Sequence, residues 1–136
     1  MRHEIMIDGN RFDDMMGFYD EIERVLTKGL PWKIGRNLTA LNDVLRGGFG
    51  IHEYGERLVI KWINFEKSKA DLGYPATAAY YEQILARSHP SDIPLTQAKI
   101  HDAKNQKGQT LLDIIVEIIL NTDNSGHDCI LERGGV

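Results

Sequence analysis

The chain has 136 residues, a length that suits one domain with a single hydrophobic core. Its 42% hydrophobic and 26% charged residues are the balance of a soluble globular protein, and its one cysteine excludes an internal disulfide. The net charge of −4 argues against a generic nucleic-acid-binding surface, which requires a basic field, and is compatible with a basic protein partner.

The sequence shows no feature of secretion or of membrane insertion. Residues 1–5 contain no apolar stretch long enough for a signal peptide. The longest apolar run, 111–120, is short and is interrupted by Asp113 and Glu117, so it lacks the composition of a membrane span. We therefore expect a cytoplasmic protein without membrane contact, in keeping with the single cysteine.

The first predicted elements are a strand and an amphipathic helix. The apolar run 5–7 ends at the turn pair Asp8-Gly9, which predicts a short strand. Asp13 and Asp14 then stand where the N-cap and the first turn of a helix favour acids, and apolar residues at helical spacing predict a helix over 14–27. Gly17 is an unfavourable residue inside it. The apolar positions of this helix are Met15, Met16, Tyr19, Ile22, Val25 and Leu26.

A second helix is predicted over 37–46. Leu38, Leu41 and Leu45 recur at the spacing of one buried stripe, and a pair of glycines ends the helix. The side chains that this spacing turns to solvent are those of Thr39, Asn42, Asp43 and Arg46.

The middle of the chain contains a clear strand and an unclear segment. The apolar, partly β-branched run 58–62 predicts a strand, and 65–69 indicates a helical turn after it. The segment 70–107 is polar and holds most of the prolines. We interpret it as an elaborated surface loop with one helix at 78–87.

The last part of the chain predicts a helix and a strand. Thr110 and Asp113 form a capping-box pattern at the start of the apolar run 111–120. Polar residues recur every four positions from Asp113 to Asn121, which favours a helix over a strand for this run. The run 128–131 predicts the final strand.

Strands separated by helices favour a parallel sheet built by right-handed crossovers. When three strands follow each other in the order 1-2-3, the crossover helices lie mostly on one face. The sequence thus predicts a two-layer α/β fold, with a single domain over 1–136 and an insert at about 70–107.

Two stretches of the chain resemble the barstar family. The residues of the second predicted helix and its preceding loop that follow the family pattern are Leu30, Pro31, Gly35, Asn37, Leu38, Ala40, Leu41, Asp43 and Leu45. The matching residues of the central strand and the turn after it are Trp62, Phe65, Glu66, Ser68 and Lys69. The opening Ile7-Asp8-Gly9 and the closing Gly126-His127-Asp128 also fit, so that the resemblance covers roughly 5–69 and 109–132.

This resemblance implies a barstar-like inhibitor that binds one-to-one to a ribonuclease or nuclease toxin and protects the producing cell. In the family, the second helix and the loop before it enter the nuclease active site, where an acidic side chain replaces a substrate phosphate. Asp43 stands at that position, and a carboxylate can accept bidentate bonds from arginine as a phosphate does. The implied partner-binding residues are Lys33, Gly35, Arg36, Asn37, Thr39, Asn42, Asp43, Arg46 and Phe49.

The resemblance implies no enzyme activity, no cofactor, no metal ion and no direct nucleic-acid contact, and we expect a monomer when the chain is free. The sequence itself also argues against a metal site, because the histidines are scattered and form no ligand motif.

The implied surface departs from the family pattern at several positions. Thr39 stands where the family can carry a second acid, and Asn42 replaces an aromatic residue just before the key acid. Lys33 replaces an aromatic residue of the loop, while Arg36 and Arg46 add positive charge. We therefore expect a cognate target that differs from barnase-like enzymes.

Two alternatives to an inhibitor stay open, because a fold does not fix a function. A non-inhibitory protein-binding module on the same fold would suit the changed positions. A small enzyme, such as a hydrolase using His52 or His127 with a nearby acid, would turn over a substrate alone. An inhibitor should instead co-purify with a small basic nuclease, and a module with some other protein.

Overall fold

The computed structural model describes residues 2–26, 38, 40–41, 57–120 and 128–135. Its strands are β1 (Arg2–Asp8), β2 (Arg57–Ile63) and β3 (Asp128–Arg133). Its bounded helices are α1 (Met15–Leu26), α2 (Phe65–Asp71), α3 (Tyr74–Leu85), α4 (Ile93–Lys104) and α5 (Leu111–Leu120). Short 3-10 turns lie at Gly9–Arg11 and Pro90–Asp92.

The strands form one parallel sheet in the order β1-β2-β3, which confirms the predicted fold class and strand order. In its register Ile5 stands beside Ile60, and Ile7 beside Trp62. Because alternate residues of a strand point to opposite faces, these four side chains share one face. Each is at most 6% exposed, so the main hydrophobic core lies on this side of the sheet.

Helix α1 lies where its sequence pattern predicts, but its buried side differs from the predicted one, because Phe18 is buried and Met16 is 57% exposed. The Oδ1 atom of Asp14 accepts a hydrogen bond from the backbone N–H of Gly17 at 2.8 Å, which makes Asp14 the N-cap. Phe18, Ile22 and Leu26 are buried in the core. Gly17 has a packing reason, since a Cβ atom there would lie 2.7 Å from the Cβ atom of Phe12.

Helix α5 confirms the helical interpretation of 111–120. The Thr110 backbone N–H donates to Oδ2 of Asp113 at 3.0 Å, and the Asp113 N–H donates to Oγ1 of Thr110 at 3.1 Å. This is the predicted capping box. Asp113 and Glu117 are exposed, as their spacing predicted. The buried residues are Leu111, Leu112, Ile115 and Ile119.

The interpretation of 70–107 as mostly surface loop is wrong. The segment is largely helical: α3 begins four residues before the predicted start at 78, and α4 follows it. Pro75 and Pro94 each stand in the first turn of a helix, where a backbone N–H has no intrahelical acceptor and proline costs nothing. The prolines that suggested a loop therefore mark helix starts.

Thr77 anchors this helical pair to the rest of the domain. Its side chain is buried, and its Oγ1 atom accepts a hydrogen bond from the backbone N–H of Leu111 at 2.8 Å while donating to the Gly73 carbonyl at 2.7 Å. The first N–H group of α5, which has no partner within its own helix, is satisfied in this way.

We expect Thr77→Val to lower the free energy of unfolding by about 1–2 kcal/mol, because it leaves the buried Leu111 N–H without an acceptor. Urea denaturation followed by circular dichroism measures the change. Thr96→Val is the matched control, since the Thr96 hydroxyl bonds only the Asp92 carbonyl of its own helix start. Equal losses in both variants would contradict an anchoring role for Thr77.

Candidate functional site

The nine residues predicted to bind a partner lie outside the described residues: Lys33, Gly35, Arg36, Asn37, Thr39, Asn42, Asp43, Arg46 and Phe49. The histidines of the alternative enzyme hypothesis, His52 and His127, also lie outside them. The structure therefore describes the elements that support this surface and not the side chains of the surface itself.

Three residues of the predicted 37–46 helix are described, and all three are helical. Leu41 is fully buried, with 0% exposure, and belongs to the main core cluster. Leu38 and Ala40 are half-buried and pack against that cluster. The buried stripe predicted from Leu38 and Leu41 is thus confirmed, whereas Leu45 lies outside the described residues.

The second stretch of matching residues lies at the carboxyl end of the central strand, around Trp62. The ring of Trp62 stacks on that of Phe18 at 5.7 Å and meets the edges of Phe12 and Phe65. Its Nε1–H donates to Oγ of Ser68 at 2.9 Å, and the Ser68 side chain is itself fully buried. Trp62 and Phe65 are therefore core residues, and Ser68 holds the strand end by local bonding.

Gly9, at the end of β1, completes this unit. A Cβ atom at this position would lie 2.6 Å from the Ile63 carbonyl oxygen and 2.8 Å from Oγ of Ser68. The close approach of β1 to the start of α2 therefore requires glycine.

We expect Gly9→Ala to destabilise the fold by about 2 kcal/mol, since both clashing atoms are held in place by the sheet and by Trp62. Gly135→Ala is the control, because a Cβ atom there meets nothing within 4 Å. Thermal and urea unfolding of the two variants give the comparison. A tolerated alanine at position 9 would show that α2 can move away from β1.

Asn64 makes the junction between β2 and α2. Its backbone is left-handed, with φ of 52°, a conformation that asparagine tolerates better than most residues. Its side chain caps α2 by accepting from the Lys67 N–H at 3.4 Å and donates to Oδ1 of Asn10 at 2.8 Å. Its own N–H donates to the carbonyl of Gly135 at 2.8 Å, so that β1, β2 and the residues after β3 meet here.

Glu21 is a buried carboxylate that ties α1 to the end of β1. Its side chain is 2% exposed, and Oε2 accepts from the Asp8 backbone N–H at 2.8 Å. Arg24 donates to both carboxylate oxygens, at 2.7 and 2.8 Å, and Nε of Arg11 lies 3.3 Å from Oε1. The hydrogen bond to Glu21 raises the pKa of the Arg24 guanidinium.

The sequence reasoning missed Glu21, although a signal was present. It stands on the apolar side of α1, three residues after Phe18 and four before Val25. An acid in such a stripe predicts a buried, paired carboxylate.

Lys67 forms a second tie, between the start of α1 and the end of α2. Its Nζ donates to the Phe12 carbonyl at 2.6 Å, to Oδ1 of Asp13 at 2.8 Å and to Oδ2 of Asp71 at 2.6 Å. The hydrogen bonds to Asp13 and Asp71 raise the pKa of Lys67. The bonds to Phe12 and Asp13 join residues 55 and 54 positions apart in the chain, so no local pattern could reveal them, whereas Asp71 is the i,i+4 neighbour of Lys67.

The described part of the chain contains no group of three or more His, Cys, Asp or Glu side chains that could hold a metal ion. Within the same ranges, no helix is both long and apolar enough to cross a bilayer.

The two stretches that resemble the barstar pattern thus pack together, because Leu41 and the strand end around Trp62 share one core. A family model described as Barstar (barnase inhibitor) matches residues 2–92, about two thirds of the chain. The chain belongs to the barstar family. No curated protein and no solved structure gives a significant match.

Members of the barstar family are ribonuclease inhibitors rather than enzymes. The matched range contains the predicted 37–46 helix, β2 and α2, and it runs on through α3. It ends before α4, α5 and β3, so this barstar-family chain completes its sheet with residues outside the match.

Proposed function

We propose that this protein inhibits a ribonuclease or a nuclease toxin by binding it one-to-one and occluding its active site. The family match over 2–92 carries the proposal, because it includes the helix and loop that the family uses against its target. The proposed partner is a protein, and the inhibitor itself needs no cofactor and makes no direct contact with nucleic acid.

The burial of Leu41 supports an inhibitory role for the opposite side of the 37–46 helix. A residue with 0% exposure fixes which side of its helix faces the core. Helical periodicity then predicts that Thr39, Asn42 and Asp43 face away from it. We propose that Asp43 takes the place of a substrate phosphate, and that the other predicted contact residues supply register and specificity.

Charge supports a basic target. The chain carries a net charge of −4, and opposite fields on two proteins speed their association. Nuclease active sites must attract a polyanion, so they present such a field. The changed positions, above all Thr39 and Asn42, favour a cognate enzyme other than a barnase-like one.

The proposal is tested by titrating the protein into the small ribonucleases and toxin domains of its own source organism while RNA cleavage is followed. We expect cleavage by the cognate enzyme to fall linearly and to stop at one molar equivalent. If every such enzyme keeps full activity in the presence of excess protein, the inhibitor function is wrong. Co-purification with a protein that is not a nuclease would then favour the binding module.

A cytoplasmic location belongs to the same proposal, since an inhibitor that protects the producing cell acts where the RNA is. The single cysteine is consistent with a reducing compartment. Fractionation of source cells, with the protein followed by antibody, checks this point.

A further inference from the structure

An apolar groove of about 240 Å³ runs between the first half of α1 and the length of α3. Residues of α3 that recur at helical spacing form one wall: Ala76, Ala79, Tyr80, Gln83 and Ile84. Met15, Met16 and Tyr19 of α1 form the other wall. Tyr19 belongs to the main core cluster, and Met15, Ala76 and Tyr80 pack against that cluster, so the groove lies at the surface of the core. We call it the α1–α3 groove.

Met16 is the most exposed large apolar side chain of the α1–α3 groove. It is 57% exposed, while the neighbouring Tyr80 and Ile84 are half-buried. Methionine is unbranched and flexible, and it fills irregular apolar gaps well. A side chain of this kind at the rim of a groove can insert into a matching groove on another surface.

The two ends of the groove carry opposite charges. Lys67 binds both Asp13 and Asp71, which brings the start of α1 beside the start of α3 and places Asp14 at that end. Arg87 lines the groove beyond the last turn of α3, on the order of 15 Å further along the helix axis. Among the described residues, neither Asp14 nor Arg87 forms an ion pair.

This arrangement is self-complementary. A two-fold axis through the middle of the groove brings the Asp14 end of one copy opposite the Arg87 end of the other. Each Arg87 then faces the Asp14 of the other copy, and the same contact is made twice. The same operation brings each Met16 to the groove of the other copy. An acid at one end, a base at the other and an apolar centre are the features that a symmetric interface requires.

We propose that the free protein forms a weak symmetric dimer through the α1–α3 groove, with Met16 inserted into the partner's groove and Asp14 paired with Arg87. This inference goes beyond the proposed inhibition and does not depend on it. It differs from the monomer expected from the sequence, because two helices distant in the chain share this surface. We expect a dissociation constant on the order of 100 µM, in the range of weak, transient contacts.

Sedimentation equilibrium of the purified protein, from about 10 µM to about 1 mM, tests the dimer. We expect the average mass to rise with concentration for the wild type. Met16→Glu and Arg87→Asp should each weaken association at least tenfold. The double variant Asp14→Arg/Arg87→Asp exchanges the charges within each pair and should restore association, with circular dichroism confirming that it folds without the Asp14 cap.

Leu95→Glu is the control, because Leu95 is 64% exposed but lies on α4, outside the groove. It should associate as the wild type does. A wild type that stays monomeric at about 1 mM overturns the proposal. So does a dimer that Met16→Glu and Arg87→Asp leave unchanged, or a folded double variant that fails to reassociate when Arg87→Asp alone has dissociated it.

Discussion

Replacing Asp43 by alanine is expected to weaken binding to the cognate nuclease more than a hundredfold while leaving the free energy of unfolding unchanged. Asp43 is the proposed phosphate substitute, and its carboxylate would accept paired hydrogen bonds from basic residues of the target. Its removal leaves those basic residues buried in the complex without a counter-charge. A truncation of this kind costs about 3 kcal/mol or more, which is more than a hundredfold in affinity.

Isothermal titration calorimetry with the cognate enzyme measures this effect, and urea unfolding of the free variants shows whether the fold is intact. Asp102→Ala is the matched control, since Asp102 is an exposed acid on a different helix, α4. We expect wild-type affinity from it. If Asp43→Ala inhibits as well as the wild type does, the phosphate substitute is wrong, and the inhibitory contacts belong to another part of the surface.

The sheet could be predicted from the sequence because its signal is local. Strands β1 and β2 are short apolar runs ended by turn residues, and parallel pairing follows from the helical stretches between them. Helix α5 could be separated from a strand because its acids recur at the period of a helix. In each case the spacing of apolar and polar residues that identifies the element lies within about ten consecutive residues.

The helices of the 70–107 segment escaped prediction for a physical reason. Helix α4 buries only Thr96 and Ala103, so it has no apolar stripe for periodicity to reveal. It is held by packing on α3, with Lys104 paired to Glu82 at 3.2 Å and Lys99 lying over the ring of Tyr81. A helix that needs so little apolar surface looks, in sequence, like a polar loop.

Only some of the contacts that hold the candidate site could be predicted from the sequence. The strand that carries Trp62 and the helical turn that carries Phe65 and Ser68 were predicted correctly, because each is signalled by a short run of neighbouring residues. Glu21 joins α1 to the end of β1, and Lys67 joins α2 to the residues just before α1. These contacts exist only once the chain has folded. The partner-binding residues rest on the family resemblance and stay a prediction.

Leu41→Ala is expected to lower the free energy of unfolding by about 3 kcal/mol. Its side chain has 0% exposure, so truncation removes apolar contacts and leaves a cavity inside the core. Leu95→Ala is the control of identical chemistry, because the 64% exposed Leu95 should change stability by less than about 0.5 kcal/mol. Urea unfolding of both variants provides the comparison.

The effect of Leu41→Ala on inhibition distinguishes an anchor from a contact. Leu41 stands two residues before Asp43, so a cavity beneath it loosens the helix that presents the acid. We expect the folded variant to bind the nuclease about tenfold more weakly, a smaller loss than Asp43→Ala causes. Leu41→Met preserves the side-chain volume and should recover most of the lost stability and most of the lost affinity. Asp43→Ala should impair binding without lowering stability, whereas Leu41→Ala should impair both. If Leu41→Ala lowers stability but leaves affinity intact, the core does not position the 37–46 helix for binding, and the inhibitory surface must be held by other contacts.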